Sequence, residues 1–95
     1  MKFKKLDPLL HSQLRLAIMS LLIGVEEAQF NFIKEKTGAT SGNLSVQLDK
    51  LEKAKYIKVI KSFQGKKPLT TCSIEKKGIK AFEQYVSDIK SYFGD

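Results

Sequence analysis

The 95-residue sequence predicts a mostly α-helical α+β fold with one small β-hairpin and a helical C-terminus. Three observations carry that prediction. Apolar residues recur at helical spacing in separate stretches before residue 56. Between Tyr56 and Ile74 the pattern changes to β-branched and aromatic residues, then to apolar residues alternating with hydroxyls. From residue 76 onward the helical period returns. No linker, repeat or low-complexity tract interrupts the order, so a single domain over residues 1–95 is expected.

Residues 1–6 read as a short arm. Asp7-Pro8 then offers an N-cap with proline at the first helical position, which opens a helix over 7–23. Its buried face is Leu10, Leu14, Ala17, Ile18, Leu21 and Leu22, and Gly24 closes it. Glu26 to Gln29 is a connector with room for one short strand. Asn31 caps a second helix that ends at Gly38, with Phe30 and Ile33 on its apolar side and Phe32 as a further candidate for it. Thr40 caps a third, Ser41 to Lys55, with leucines at 44, 48 and 51 and Ala54 on one side. Two helices separated by Gly38-Ala39-Thr40 have the layout of a helix-turn-helix over 31–55. The hairpin spans 56–74, and its turn, Gln64 to Pro68, carries two adjacent lysines. In the last helix, 76–93, Ile79, Phe82, Val86, Ile89 and Phe93 step by 3, 4, 3 and 4, the seam of a helix that pairs with another; Tyr85 and Tyr92 widen it.

Composition narrows the function. There are 17 basic and 10 acidic residues, a net charge of +7, and all but Arg15 of the basic residues are lysine. Residues 41–78 hold 9 of the basic and 3 of the acidic groups, a local excess of +6, as on a surface that meets a polyanion. A mean hydropathy of −0.23, no apolar run near the ~20 residues of a membrane span, and no signal-peptide pattern lead to a cytoplasmic, non-membrane protein as the expectation. One cysteine and one histidine supply neither a disulfide nor a zinc cage, so no metal or other cofactor is expected. No nucleophile–base set, phosphate-cradling glycine loop or dinucleotide fingerprint is present, and an enzyme is not expected. A chain this short buries only about 60–65% of its unfolded surface, and pairing with a second copy is the natural remedy.

Helix, helix-turn-helix, basic hairpin and amphipathic helix together make a winged helix-turn-helix with a C-terminal dimerisation helix. The stretch from Thr40 to Ile57 resembles the recognition helix and following strand of MarR/ArsR-type transcriptional regulators. Leu6-Asp7-Pro8-Leu9-Leu10-His11 and Ser62-Phe63-Gln64-Gly65-Lys66-Lys67-Pro68 are similar to the start and the wing of the small branch of that group. The resemblance covers residues 6–93 and implies a homodimeric, sequence-specific double-stranded DNA-binding transcription factor. Two departures concern local geometry. Lys55 stands where glycine commonly ends the recognition helix, and Glu75-Lys76 where Thr-Pro often opens the last helix. The cysteine metal sites of the ArsR type have no counterpart.

Within that frame Ser41, Gly42, Asn43, Ser45, Val46, Gln47 and Lys50 are the candidate DNA contacts on the third helix. Short donors and acceptors there suit base edges and phosphates. Gln47 lies at the edge of the leucine stripe, where it can instead bond internally. Asp49 can accept from cytosine or pair with Lys53. Lys66 and Lys67 are candidates for phosphate or minor-groove contact, against ordinary solubility charges. The dimer interface falls to Ile79, Phe82, Val86, Ile89 and Phe93. His11 reads as a packing residue and Cys72 as a small buried hydrophobe. Phe63 and Tyr56 read as core or interface. Two rival roles for the same fold are a protein-interaction module in a larger assembly and a non-specific nucleic-acid binder; the effector, if one exists, is not specified by the sequence.

Overall fold

The computed structural model describes residues 2–94. Its elements run α1 (Gln13–Leu22), β1 (Ala28–Gln29), α2 (Phe30–Thr37), α3 (Ser41–Lys53), β2 (Ile57–Gln64), β3 (Lys67–Ile74) and α4 (Lys76–Ile89), followed by a 3-10 turn, Lys90–Phe93. The strands form one antiparallel sheet in the order β1-β3-β2. Helices α1, α2 and α3 pack around Ile18, Met19, Leu22, Ile33, Leu44 and Leu51, all fully buried; Ile57 and Cys72 close the core from the sheet side.

The first helix is shorter than its periodicity suggests. Asp7 caps a single turn: its Oδ1 accepts from the Leu9 amide at 2.8 Å and its carbonyl from the His11 amide at 2.9 Å. The chain then extends at Ser12 (φ −152°), whose Oγ caps α1 by accepting from the Arg15 amide at 3.4 Å. Tertiary bonding decides this outcome. The Tyr56 hydroxyl donates to Asp7 Oδ2 at 2.5 Å and Arg15 Nε to the Leu9 carbonyl at 2.6 Å, which pins the turn outside the helix. The second helix starts at Phe30 with Gln29 as its cap position, not at Asn31, because Ala28 and Gln29 are held in strand pairing opposite Cys72 and Thr71.

Two glycine-type turns set the helix-turn-helix and the hairpin. Gly38 takes a left-handed φ of 72° and its amide closes α2 onto the Lys34 carbonyl. Gly65 (φ 65°) and Lys66 form a two-residue turn between Gln64 and Lys67, with positive φ only at the first central residue, the arrangement of a type II′ hairpin. Lys67 and Pro68 therefore begin β3 instead of belonging to the turn. Proline is tolerated there because β1 covers β3 only around Thr71 and Cys72, which leaves the edge at residue 68 without a neighbour on that side.

Lys55 adopts the conformation that glycine usually supplies, at φ 68°. Its amide reaches the Glu52 carbonyl at 2.9 Å, and the Tyr56 amide the Leu51 carbonyl at 3.0 Å, so the third helix ends in a Schellman turn despite the substitution. The sequence departure changes the cost, about 1–2 kcal/mol for a side chain in left-handed backbone, and not the geometry.

The Asp7–Tyr56 bond has a pH signature. Burial, then the hydrogen bond and charge of Asp7, push the Tyr56 phenol up to about 12 from its ordinary 10.0. A raised acid is held neutral by the fold, so this stabilisation is complete below pH 10 and is lost as pH rises through 12. Tyr56→Phe is expected to cost about 1–2 kcal/mol near neutrality. In melts from pH 8 to 12 the gap between variant and wild type should close with rising pH; a constant gap would contradict the assignment.

Candidate nucleic-acid interface

The third helix is positioned at both ends before any ligand is considered. Thr40 Oγ1 accepts from the Asn43 amide at 3.1 Å at the N-terminus, and the Lys55 turn fixes the C-terminus. Leu44, Leu48 and Leu51 are buried, which orients the opposite face outward. On that face Ser41, Gly42, Asn43, Ser45, Val46 and Lys50 are all exposed, and Gln47 is half-buried at the edge. Val46 is 51% exposed in the middle of a polar surface. One turn earlier, a Cβ built on Gly42 would meet nothing within 4 Å, so the helix surface there is open to close approach. Asp49 pairs with Lys53 at 2.9 Å, the i,i+4 role, between two exposed side chains.

Gln47 bonds internally. Arg15 Nη1 donates to its Oε1 at 2.5 Å, and its Nε2 donates to Asn43 Oδ1 at 3.0 Å. Asn43 is thus held on its carbonyl side and keeps its NH2 for a ligand. Sequence analysis marks Arg15 only as the one arginine and gives it no role at this site. The signal was present, since it is the one guanidinium among sixteen lysines, and only a guanidinium presents two separated donors from a rigid fork.

The wing brings its charge to an exposed tip: Gly65, Lys66 and Lys67 are all exposed. A cleft of about 310 Å³ separates α3 from the wing, lined by Ser45, Leu48, Asp49, Val59 and Lys61 among others. Helix and wing therefore flank one groove. Phe63 is 73% exposed on the outer wing, so it belongs neither to the core nor to a covered interface within the chain. Tyr56 is half-buried, against Asp7.

The basic block of residues 41–78 is divided by the fold. Lys55, Lys58, Lys76 and Lys77 line a second groove with Glu52 and Glu75 where the third helix, the wing base and α4 meet. Lys58 lies at the base of β2, seven residues before the Gly65 turn, about 23 Å from the tip at strand spacing. Charge near α3 and the tip comes from Lys50, Lys53, Lys61, Lys66 and Lys67.

In the C-terminal helix, Ile79, Phe82 and Ile89 are half-buried, while Val86 is 39% and Phe93 74% exposed. Tyr85 does not widen the seam. It is buried, with its hydroxyl 3.0 Å from the Nδ1 of His11, which is itself exposed and meets the core through this hydrogen bond and not by burial. The helix stops at Ile89, and Phe93 sits on the 3-10 turn, where Ser91 Oγ donates to the Asp88 carbonyl at 2.7 Å and accepts from the Lys4 amide at 3.0 Å. The N-terminal arm lies along this end: Phe3 stacks on Tyr92 at 4.9 Å, and the Tyr92 hydroxyl donates to the Lys4 carbonyl.

Cys72 is 1% exposed, and burial, with Glu52 nearby, pushes its thiol up to about 11. A thiol so held is protonated and inert at neutral pH. Among the described residues no three His, Cys, Asp or Glu side chains group closely enough to hold a metal ion, and no helix is long and apolar enough to cross a membrane.

A capped, outward-facing helix beside a basic two-stranded wing, both seated on a three-helix core, defines a winged helix-turn-helix DNA-binding protein. A sequence model of the winged helix DNA-binding domain matches residues 14–93, and the chain belongs to that family. It is 38% identical over 79 residues to an uncharacterized protein of Methanocaldococcus jannaschii, covering 83% of this chain and 86% of the relative. Its fold matches the structure of a transcriptional regulator homologue from Pyrococcus horikoshii with a TM-score of 0.83, 27% identity, and coverage of 90% and 85% of the two chains. The regulator ytfH of Salmonella typhimurium, described as putative, shares the fold at a TM-score of 0.75 and 15% identity, over 90% of this chain and 75% of that one. A MarR family member from Lactococcus lactis has the same fold at 16% identity. Family and fold are those of transcriptional regulators, not of enzymes.

Proposed function

We propose that the protein is a sequence-specific transcriptional regulator that binds a palindromic operator as a homodimer. The exposed face of α3 carries the proposal: Ser41, Asn43, Ser45 and Lys50 supply donors and acceptors, and Val46 an apolar contact for a thymine methyl. In this reading α3 enters the major groove while Lys66 and Lys67 hold the flanking backbone. The regulator homologue of Pyrococcus horikoshii supports the class of function. Gel shifts of genomic fragments against random duplex at two salt concentrations test it. Retention of particular fragments at the higher salt is expected; equal binding of all duplexes would make the protein a non-specific binder.

The second copy is seated on Val86, Phe93 and the outer sides of Ile79, Phe82 and Ile89. Residues 79–95 carry 2 basic and 3 acidic groups, so two copies meet with little repulsion. Val86→Glu is expected to give monomers by sedimentation at tens of micromolar, roughly the range of specific but modest interfaces. Operator affinity should fall with it. A monomeric wild type at that concentration would remove the palindrome from the mechanism.

A further inference from the structure

We propose that Arg15 is a positioning residue which, through Gln47, fixes the polarity of the Asn43 amide so that it offers hydrogen-bond donors to the DNA. This inference rests on the reading of α3 as the base-reading helix and adds which chemical edge it selects. The direction of the relay follows from chemistry alone. A guanidinium only donates, so Gln47 must turn its Oε1 toward Arg15 Nη1, as observed at 2.5 Å. Its Nε2 then points the other way and can only donate, so Asn43 must present Oδ1 to it, as observed at 3.0 Å.

What is left outward on Asn43 is the NH2 group, on an exposed residue in the first turns of a capped helix. A bare asparagine can rotate its amide by half a turn and read either donors or acceptors. Here rotation would set Nδ2 against Nε2 and break the relay. Arg15 is itself anchored by its Nε on the Leu9 carbonyl at 2.6 Å, outside α3, so the polarity of the reader is fixed from the helix behind it. Lysine at position 15 has one point charge and cannot hold both acceptors from a fixed fork. Asn43 therefore selects a base edge that accepts: guanine O6 or N7, adenine N7, or thymine O4.

The test begins with operators selected from a random duplex pool by the wild-type protein, with Asn43→Ala used to find the base pair that this residue reads. At the base it contacts, the wild type should prefer guanine, thymine or adenine over cytosine, whose edge offers only a donor, by about five- to tenfold, the value of one good hydrogen bond to a base edge. Arg15→Met should reduce the preference at that pair to near onefold while leaving the other positions selective. Gln47→Glu is the sharper variant, and it keeps the Arg15 contact and the fold. Its second carboxylate oxygen accepts, which turns the Asn43 NH2 inward and the carbonyl outward. Preference should then move to cytosine, the one base whose major-groove edge offers a donor and no acceptor. An unchanged preference in both variants, or a loss spread evenly over every operator position, would overturn the relay while leaving α3 as the reader. A pool that yields no preferred sequence would overturn the reader and the relay together.

Discussion

Alanine at both Lys66 and Lys67 should weaken binding to specific and random duplex alike, by about thirtyfold for each wing near physiological salt. The size follows from counterion release. Each phosphate contact contributes ~0.9 to the slope of log K against log salt, so two lost contacts flatten it by ~1.8 per wing. The structure gives the reason for the lack of selectivity. Lys66 occupies the second central position of a two-residue turn, with Gly65 before it and Lys67 at the start of a strand, and all three are exposed. Nothing there holds a long side chain in a frame that could discriminate bases. Affinity measured over a salt series checks the slope. A change in base preference in this variant would assign reading to the wing.

Gly78→Ala should lower stability by about 3 kcal/mol, at the upper end of the usual cost of overpacking. The same substitution in an exposed helix gains about 1 kcal/mol from propensity, so the sign depends on space. At Gly78 there is none: an added Cβ would lie 2.1 Å from the Tyr56 carbonyl oxygen and 2.9 Å from its carbon. Both are backbone atoms, and that oxygen already accepts from the Glu75 amide at 2.9 Å. At roughly 4–8 °C per kcal/mol for a domain of this size, the melting temperature should fall by roughly 12–24 °C. Gly42→Ala is the internal control. Its Cβ meets nothing, so it should leave stability equal or raised by up to about 1 kcal/mol. Equal effects at the two glycines would contradict the close packing of α4 on the strand entry.

The order of elements was legible because each segment's apolar period agrees with its final state: leucines of the third helix at 44, 48 and 51, alternation in the hairpin, and the return to helical spacing after Glu75. The outward face of α3 was legible for the same reason, since the buried stripe defines its opposite. What failed depended on contacts distant in sequence. Asp7 looked like a cap for a long helix, but its carboxylate also serves Tyr56, 49 residues away. Tyr85 fitted the outer seam by spacing, yet its partner is His11, 74 residues earlier. The relay behind Asn43 joins residues 9, 15, 43 and 47, and no local pattern encodes which oxygen of an amide faces which donor. The positive charge of residues 41–78 forms one block in sequence. The hairpin carries Lys58 and the pair Lys66–Lys67 toward opposite ends, with Lys61 between them, so continuity in sequence is divided in space.

Binding of Asn43→Ala to a selected operator and to random duplex, side by side at one salt concentration, tests the role of α3 most directly. The expected result is a loss of about 1–3 kcal/mol on the operator, with relaxed selection at one base pair in each half-site. Random-duplex affinity should be nearly unchanged, because phosphate contacts carry that term. A variant that lost the same affinity on every duplex, with its base preferences intact, would show that α3 holds the backbone and that sequence is read elsewhere.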